Sequence, residues 1–134
     1  GSIMKRRESP YRLSKTSLAR LKGVDQRLVS LVYEMLWYID VSVIEGLRTL
    51  EQQRQNVAKG VSQTLKSKHL EGKAVDLWPY PVPRQTNGQL DSRSEAWNRM
   101  AFVAGYCAGQ LGLKLTWGGE WKTLVDKPHF QLED

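Results

Sequence analysis

The chain has 134 residues, a formal net charge of +6, a single cysteine and no apolar run of the roughly 18 residues a membrane span needs. That is enough for one domain with its own core, and it excludes both a disulfide-stapled scaffold and a membrane-spanning chain. The basic balance, with a pI near 9.6, suits a polyanionic partner such as nucleic acid, an acidic wall polymer or a membrane surface. No zinc-finger spacing, aromatic RNA-binding pattern or long basic face supports the first of these.

Taken in chain order, Gly1 and Ser2 read as a cloning remnant ahead of a native start. Residues 1–12, with KRRESPYR, read as a flexible basic arm; residues 13–134 form the folded domain. No apolar stretch follows the basic group, so a secretory signal is not expected. SKTSLARL predicts a short helix. In VDQRLVSLVYEMLWYI, Leu28, Leu31, Val32, Met35, Leu36 and Ile39 recur at helical spacing, with Asp25 as the cap.

VSVIEG reads as a short buried strand ended by Gly46. Thr49 and Gln52 then form a capping box that opens a helix stopped near Gly60. This places Arg48 where a strand gives way to a helix amino terminus. Such a position suits either an anion-binding arginine or a structural salt bridge.

VSQTLKSKH is polar and predicts a loop. KAVDLWPYPVP combines a strand with a proline-rich exit, and RQTNGQLD carries an Asn-Gly turn signal. Ser92 with Glu95 suggests a second capping box, opening a helix that carries Trp97, Met100, Ala101, Ala104 and Ala108 on one side and ends near Gly109 or Gly112. Its many small residues predict close packing against the sheet. LKLTW and HFQL are strands separated by a turn at GGEW. Cys107 falls inside the last helix and reads as a buried, inert thiol. The sum is a compact α+β domain with a small antiparallel sheet.

Only two histidines occur, His69 and His129. With Asp76 they supply two imidazoles and a carboxylate, enough for a catalytic zinc site that keeps one position open. His69 and Asp76, seven apart, reach one ion if the chain doubles back at Gly72; His129 must arrive through the fold. The plainer alternative is two surface histidines, with Asp76 paired to a nearby lysine. A carboxylate inside AVDLW is partly buried, and an unpaired buried charge is costly, which favours the ion. Asp126 precedes His129 by three residues, and Pro128 restricts the chain between them. It is suited to general base work, with capping of a turn as the structural alternative.

These residues also carry a resemblance. SKHLEGKAVD matches the S-x-H-x-x-G-x-A-x-D signature of the zinc peptidoglycan peptidases, which group D-alanyl-D-alanine carboxypeptidases with L-alanyl-D-glutamate endopeptidases. GLRTLEQQ is similar to the family's G-x-R-[ST]-x-x-x-Q element, and WGGEWKTLVDKPHF to its terminal W-G-G-x-W…D-x-P-H-F block. The three blocks stand in family order, the resemblance covers residues 14–132, and the endopeptidase branch used by phage lysis enzymes is the nearest.

The resemblance implies a hedgehog/DD-peptidase-like domain, a central antiparallel sheet flanked by helices, that binds one Zn2+ through His69, Asp76 and His129. Asp126 becomes the general base and later acid. Arg48 meets substrate or the developing oxyanion, supported by Gln53 and Ser67. Gly118 and Gly119 let the chain bend after Trp117. Trp78, Trp117 and Trp121 are candidates to line the cleft, and Trp121 is preferred.

Many carboxypeptidase relatives place a glutamate base in E-x-x-H and end in W-H, whereas this chain has Asp126 and Pro128. That departure favours cleavage of the L-alanyl-D-glutamate bond in stem peptides over D,D- or L,D-carboxypeptidase trimming in wall remodelling. The implied partners are bacterial peptidoglycan and an anionic wall or outer-membrane surface, with no nucleic acid, no membrane span and a monomeric state. The implied location is the host cytoplasm before lysis, then the periplasm and cell wall.

Overall fold

The computed structural model describes residues 8–60 and 67–134. The expected basic arm falls mostly on residues 1–7, outside the described residues, as do positions 61–66 of the polar loop.

Helix α1 spans Lys15–Arg20 and α2 spans Gln26–Met35. The cap of α2 is Asp25, whose side chain accepts from the Arg27 amide, as the sequence predicts. Its buried stripe of Leu28, Leu31, Val32 and Met35 faces helix α4, Glu95–Leu111, which contributes Trp97, Met100, Ala104, Cys107 and Ala108. Each fully buried Leu or Met side chain in this layer is worth about 1.5–3 kcal/mol relative to exposure.

For α4 the expected cap is corrected, and the expected close packing of its small residues holds only in part. Its cap is Ser94, accepting from the Ala96 amide, and not Ser92, because Asp91 and Ser92 are spent in the turn before it. Among its small residues, Ala104 and Ala108 lie in the core, while Gly105 and Gly109 face open space. Cys107 is fully buried, and burial pushes its thiol up to about 11, which leaves it inert at neutral pH.

The four strands are β1 (Val41–Glu45), β2 (Ala74–Pro79), β3 (Leu115–Trp117) and β4 (His129–Leu132), ordered β1-β2-β4-β3 with every neighbouring pair antiparallel. Side chains alternate across a strand with period two. Val41, Val43, Val75, Leu77, Phe130 and Leu132 therefore point into the core beneath the helices. Asp76, His129 and Gln131 fall on the opposite face. Core packing and site placement are two readings of one alternation.

A bulge breaks that alternation once. Val43 pairs with Leu77 but Glu45 pairs with Asp76, so Ile44 is the extra residue on β1. Strict alternation would send Glu45 to the core face with Val41 and Val43. The bulge turns it to the face of Asp76 and His129, and the three form one row across β1, β2 and β4. On the outer edge of β1, the Val43 amide donates to Ser17 Oγ at 3.0 Å and Arg20 donates to the Val43 carbonyl at 3.0 Å, which blunts an edge otherwise open to pairing.

Helix α3, Leu50–Ala58, opens with the predicted capping box of Thr49 and Gln52. A 3-10 turn over Lys68–Glu71 carries His69 and ends at Gly72 in the left-handed region, φ 70°. The Gly72 carbonyl accepts from the Asp25 amide at 2.8 Å, so the turn is docked on the loop before α2. A Cβ at Gly72 would lie 2.4 Å from the Gly23 carbonyl oxygen. Gly72→Ala is expected to destabilise the fold by about 2 kcal/mol or more, from left-handed strain plus a backbone clash; denaturant titration checks it. An unchanged midpoint would show that this docking is dispensable.

Candidate metal centre and catalytic site

Three parts of the chain converge at one place. His69 comes from the 3-10 turn, Asp76 from the middle of β2, and His129 from the first residue of β4, its register partner. His69 Nε2 lies 3.1 Å from Asp76 Oδ1, His129 Nδ1 lies 3.1 Å from the same oxygen, and the two nitrogens are 3.2 Å apart. The expected doubling back at Gly72 is present. Asp76 meets both imidazoles and not a lysine. One chain supplies all three donors.

The distal ring nitrogens decide what this triangle is. His69 Nδ1 is 2.7 Å from the Gly46 carbonyl, and His129 Nε2 is 2.8 Å from Gln131 Oε1. Both oxygens can only accept, so both distal nitrogens carry the hydrogen. A neutral ring then turns its lone pair inward, toward the other ring and the Asp76 carboxylate. Three lone-pair donors within 3.2 Å repel one another unless a cation lies among them. A tetrahedral ion with bonds of about 2.0 Å requires ligand edges of roughly 3.3 Å, close to the sides of this triangle. The residues fit a metal ion.

Ionisation follows the same geometry. Burial opposes the charge on Asp76, but hydrogen bonds from His129 and His69 outweigh it and hold the carboxyl below the usual range. Burial pulls the His129 imidazole down, while its hydrogen bond to Asp76 pulls it up and prevails. Such donation needs a second proton on a ring whose distal nitrogen already carries one. Without a metal, an imidazolium thus takes over part of the neutralising role that neutral rings, lone pairs inward, leave to a cation.

Asp126 stands beside the triangle, its Oδ2 4.0 Å from His129 Nδ1, with 43% of its side chain open to solvent. Its backbone holds it there: the amide donates to the Gly118 carbonyl at 2.9 Å, and its carbonyl accepts from the His129 amide at 3.1 Å. Burial and then the neighbouring Asp76 charge raise its carboxyl above the ordinary value of 3.8, against the pull of His129, His69 and Arg48. Gly118 is tightly placed, because a Cβ there would approach the Asp126 carbonyl to 2.4 Å. Trp117 is a brace, donating from Nε1 to the Lys127 carbonyl at 2.6 Å and packing on the core, where Trp78 also packs. Of the three tryptophans, Trp121 lies against the centre, its ring 5.0 Å from that of His129.

Arg48 is half enclosed, and the anion it meets within the protein is Glu45. Its Nε and Nη2 form a fork onto both Glu45 oxygens, at 2.5 and 2.9 Å. Nη1 donates to Gln53 Oε1 and lies 3.5 Å from Ser67 Oγ. Gln53 is fully buried, and Ser67 also caps the turn bearing His69 by accepting from its amide. Arg48, Gln53 and Ser67 thus form one cluster next to the histidines. Glu45 is the member that sequence reasoning missed, because its orientation depends on the bulge. Glu45→Gln is expected to leave metal binding intact and to raise KM, since a neutral amide cannot hold the fork of Arg48. Steady-state kinetics beside metal content checks this, and unchanged KM and kcat would remove Glu45 from the site.

The model of the family described as phage L-alanyl-D-glutamate peptidase matches residues 9–131. The chain belongs to the phage L-alanyl-D-glutamate peptidase family. It is 32% identical over 117 residues to the L-alanyl-D-glutamate peptidase of Escherichia phage T5, covering 84% of this chain and 81% of that protein. It is 40% identical over 94 residues to the Listeria phage A118 protein described in the same words, covering 70% of this chain but 31% of that longer protein. In fold it matches the crystal structure of the Serratia marcescens L-Ala D-Glu endopeptidase ChiX, with a TM-score of 0.78 and 38% identity over 94% of this chain and 92% of the other. The expected domain, a small antiparallel sheet flanked by helices, is present and is the fold this chain shares with that endopeptidase.

Proposed function

We propose that the protein is a zinc peptidase that hydrolyses the L-alanyl-D-glutamate bond of peptidoglycan stem peptides. The observation that carries this reading is the inward-facing triangle of His69, Asp76 and His129 with Asp126 beside it, in a chain of this family. A zinc ion held by the three side chains supplies Lewis acidity, which acidifies water and polarises a carbonyl.

The chain's own groups do the rest. Asp126 Oδ2 accepts the proton of the attacking water on its solvent-open side, and the same carboxyl returns that proton to the departing D-glutamate nitrogen. Arg48, held by Glu45 and Gln53, offers its remaining N–H to substrate carboxylate or to the developing oxyanion, a contribution worth about 3 kcal/mol in comparable sites. Ser67 sets the turn that carries His69, and Trp121 gives the cleft an apolar wall beside His129.

In this reading residues 13–134 are the catalytic unit, acting as a monomer. The +6 charge draws it to anionic wall polymers or outer-membrane phosphates in a salt-dependent way. The enzyme accumulates in the host cytoplasm and reaches the periplasm and cell wall at lysis. No helix among the described residues is long and apolar enough to cross a membrane. Digestion of purified peptidoglycan with and without a chelator tests the proposal. New amino termini of D-glutamate, lost with chelator, are expected. Release of terminal D-alanine would instead assign a carboxypeptidase.

A further inference from the structure

The two imidazoles are held differently. His69 gives its distal N–H to a backbone carbonyl, Gly46, which cannot change from acceptor to donor. His129 gives its own to a side-chain amide, Gln131, which can. Reversed, that amide would present its NH2 to Nε2, and a neutral His129 would have to carry its hydrogen on Nδ1, the atom that faces Asp76 and His69.

One contact opposes the reversal. Gln131 Nε2 donates to Glu133 Oε1 at 2.6 Å, which requires Oε1 to face His129. His129, Gln131 and Glu133 are two apart along one extended segment, so their side chains share a face and form a file leading out to solvent. The Glu133 amide donates to the Lys114 carbonyl at 3.0 Å, which fixes its place at the end of the file. Glu133 is exposed and lies beyond the residues that the family model matches.

We propose that Gln131 and Glu133 are positioning residues: Glu133 locks the Gln131 amide, and the amide holds His129 as the tautomer whose Nδ1 lone pair faces the metal centre. The inference rests on the zinc reading above for its consequence, though not for its geometry. Partners of this kind typically change metal affinity by roughly 10–100-fold when lost.

The test has two readouts. Nitrogen NMR of the metal-free wild type, at a pH above the ring's own titration so that the imidazole is neutral, reports the His129 tautomer. Zinc affinity is then measured by chelator competition in wild type, Gln131→Leu, Glu133→Ala and the exchange variant Gln131→Glu with Glu133→Gln. Hydrogen on Nε2 in the wild type is expected, with roughly 10–100-fold weaker zinc in Gln131→Leu and a smaller loss in Glu133→Ala. The exchange variant should recover most of the affinity, because an acceptor-only oxygen, now of a carboxylate, again faces His129 Nε2 and an amide again donates within the file. Hydrogen on Nδ1 in the wild type, or unaltered affinity in Gln131→Leu, would overturn the proposal. A wild type that takes up no zinc contradicts the zinc reading, and the metal-free ring readout still decides this one.

Discussion

Asp126→Asn is expected to keep its zinc and its fold while losing activity by about 10²-fold or more, the usual scale of a lost proton-transfer group. The substitution keeps size and shape but cannot accept a proton. The site should survive it, because the loop is held through the Asp126 amide and carbonyl and not through the carboxylate. Metal content and thermal midpoint, measured beside kcat, separate chemistry from structure.

The pH profile adds a second check. Burial and Asp76 raise the Asp126 carboxyl in the metal-free protein, and only its ionised form works as a base, so activity falls as pH drops through that raised value. A bound cation pulls the value back toward the ordinary range, so the acid limb should lie lower in the loaded enzyme. In Asp126→Asn that limb should vanish from the residual kcat/KM. Full activity in this variant would remove Asp126 from the mechanism.

His69→Ala should abolish activity by a different route. The imidazole is buried, supplies one corner of the donor triangle, and ties the 3-10 turn to the residue that follows β1 through the Gly46 carbonyl. Removing it leaves two donors and strips that carbonyl of its partner, at a cost of about 1–3 kcal/mol. Zinc affinity should fall by more than the roughly 10–100-fold expected for an outer partner such as Gln131. Chelator competition measures the affinity, and denaturant titration confirms that the remaining protein is folded. Retention of zinc at wild-type affinity would show that the ion is bound elsewhere.

What was legible in the sequence is what depends on local spacing. The stripe of α2, the capping box of α3 and the strand ending at Pro79 follow from residue periodicity and cap chemistry, and each is present. His69, Asp76 and His129 stood out because histidine is scarce and AVDLW buries a charge. The resemblance then assigned their roles. Asp126 near His129 followed from the stiffness that Pro128 imposes.

The remainder depends on tertiary register. Glu45 looked like the end of a buried strand, and only the unpaired Ile44 turns it toward Arg48. Gln131 is an unremarkable polar position of the HFQL strand, and Glu133 lies past its end, until His129 Nε2 is placed beside the amide. Ser94 displaced Ser92 as a cap because two serines two residues apart offer nearly the same signal, and the preceding turn chose between them. The tight approach of Gly118 to the Asp126 carbonyl joins segments that only the folded chain brings together.

Anomalous diffraction at the zinc edge, on crystals of the loaded protein, tests the central claim most directly. The account predicts a single peak about 2.0–2.2 Å from His69 Nε2, Asp76 Oδ1 and His129 Nδ1 together, within one water of Asp126. A peak away from those atoms, or none between them in fully active protein, would contradict it.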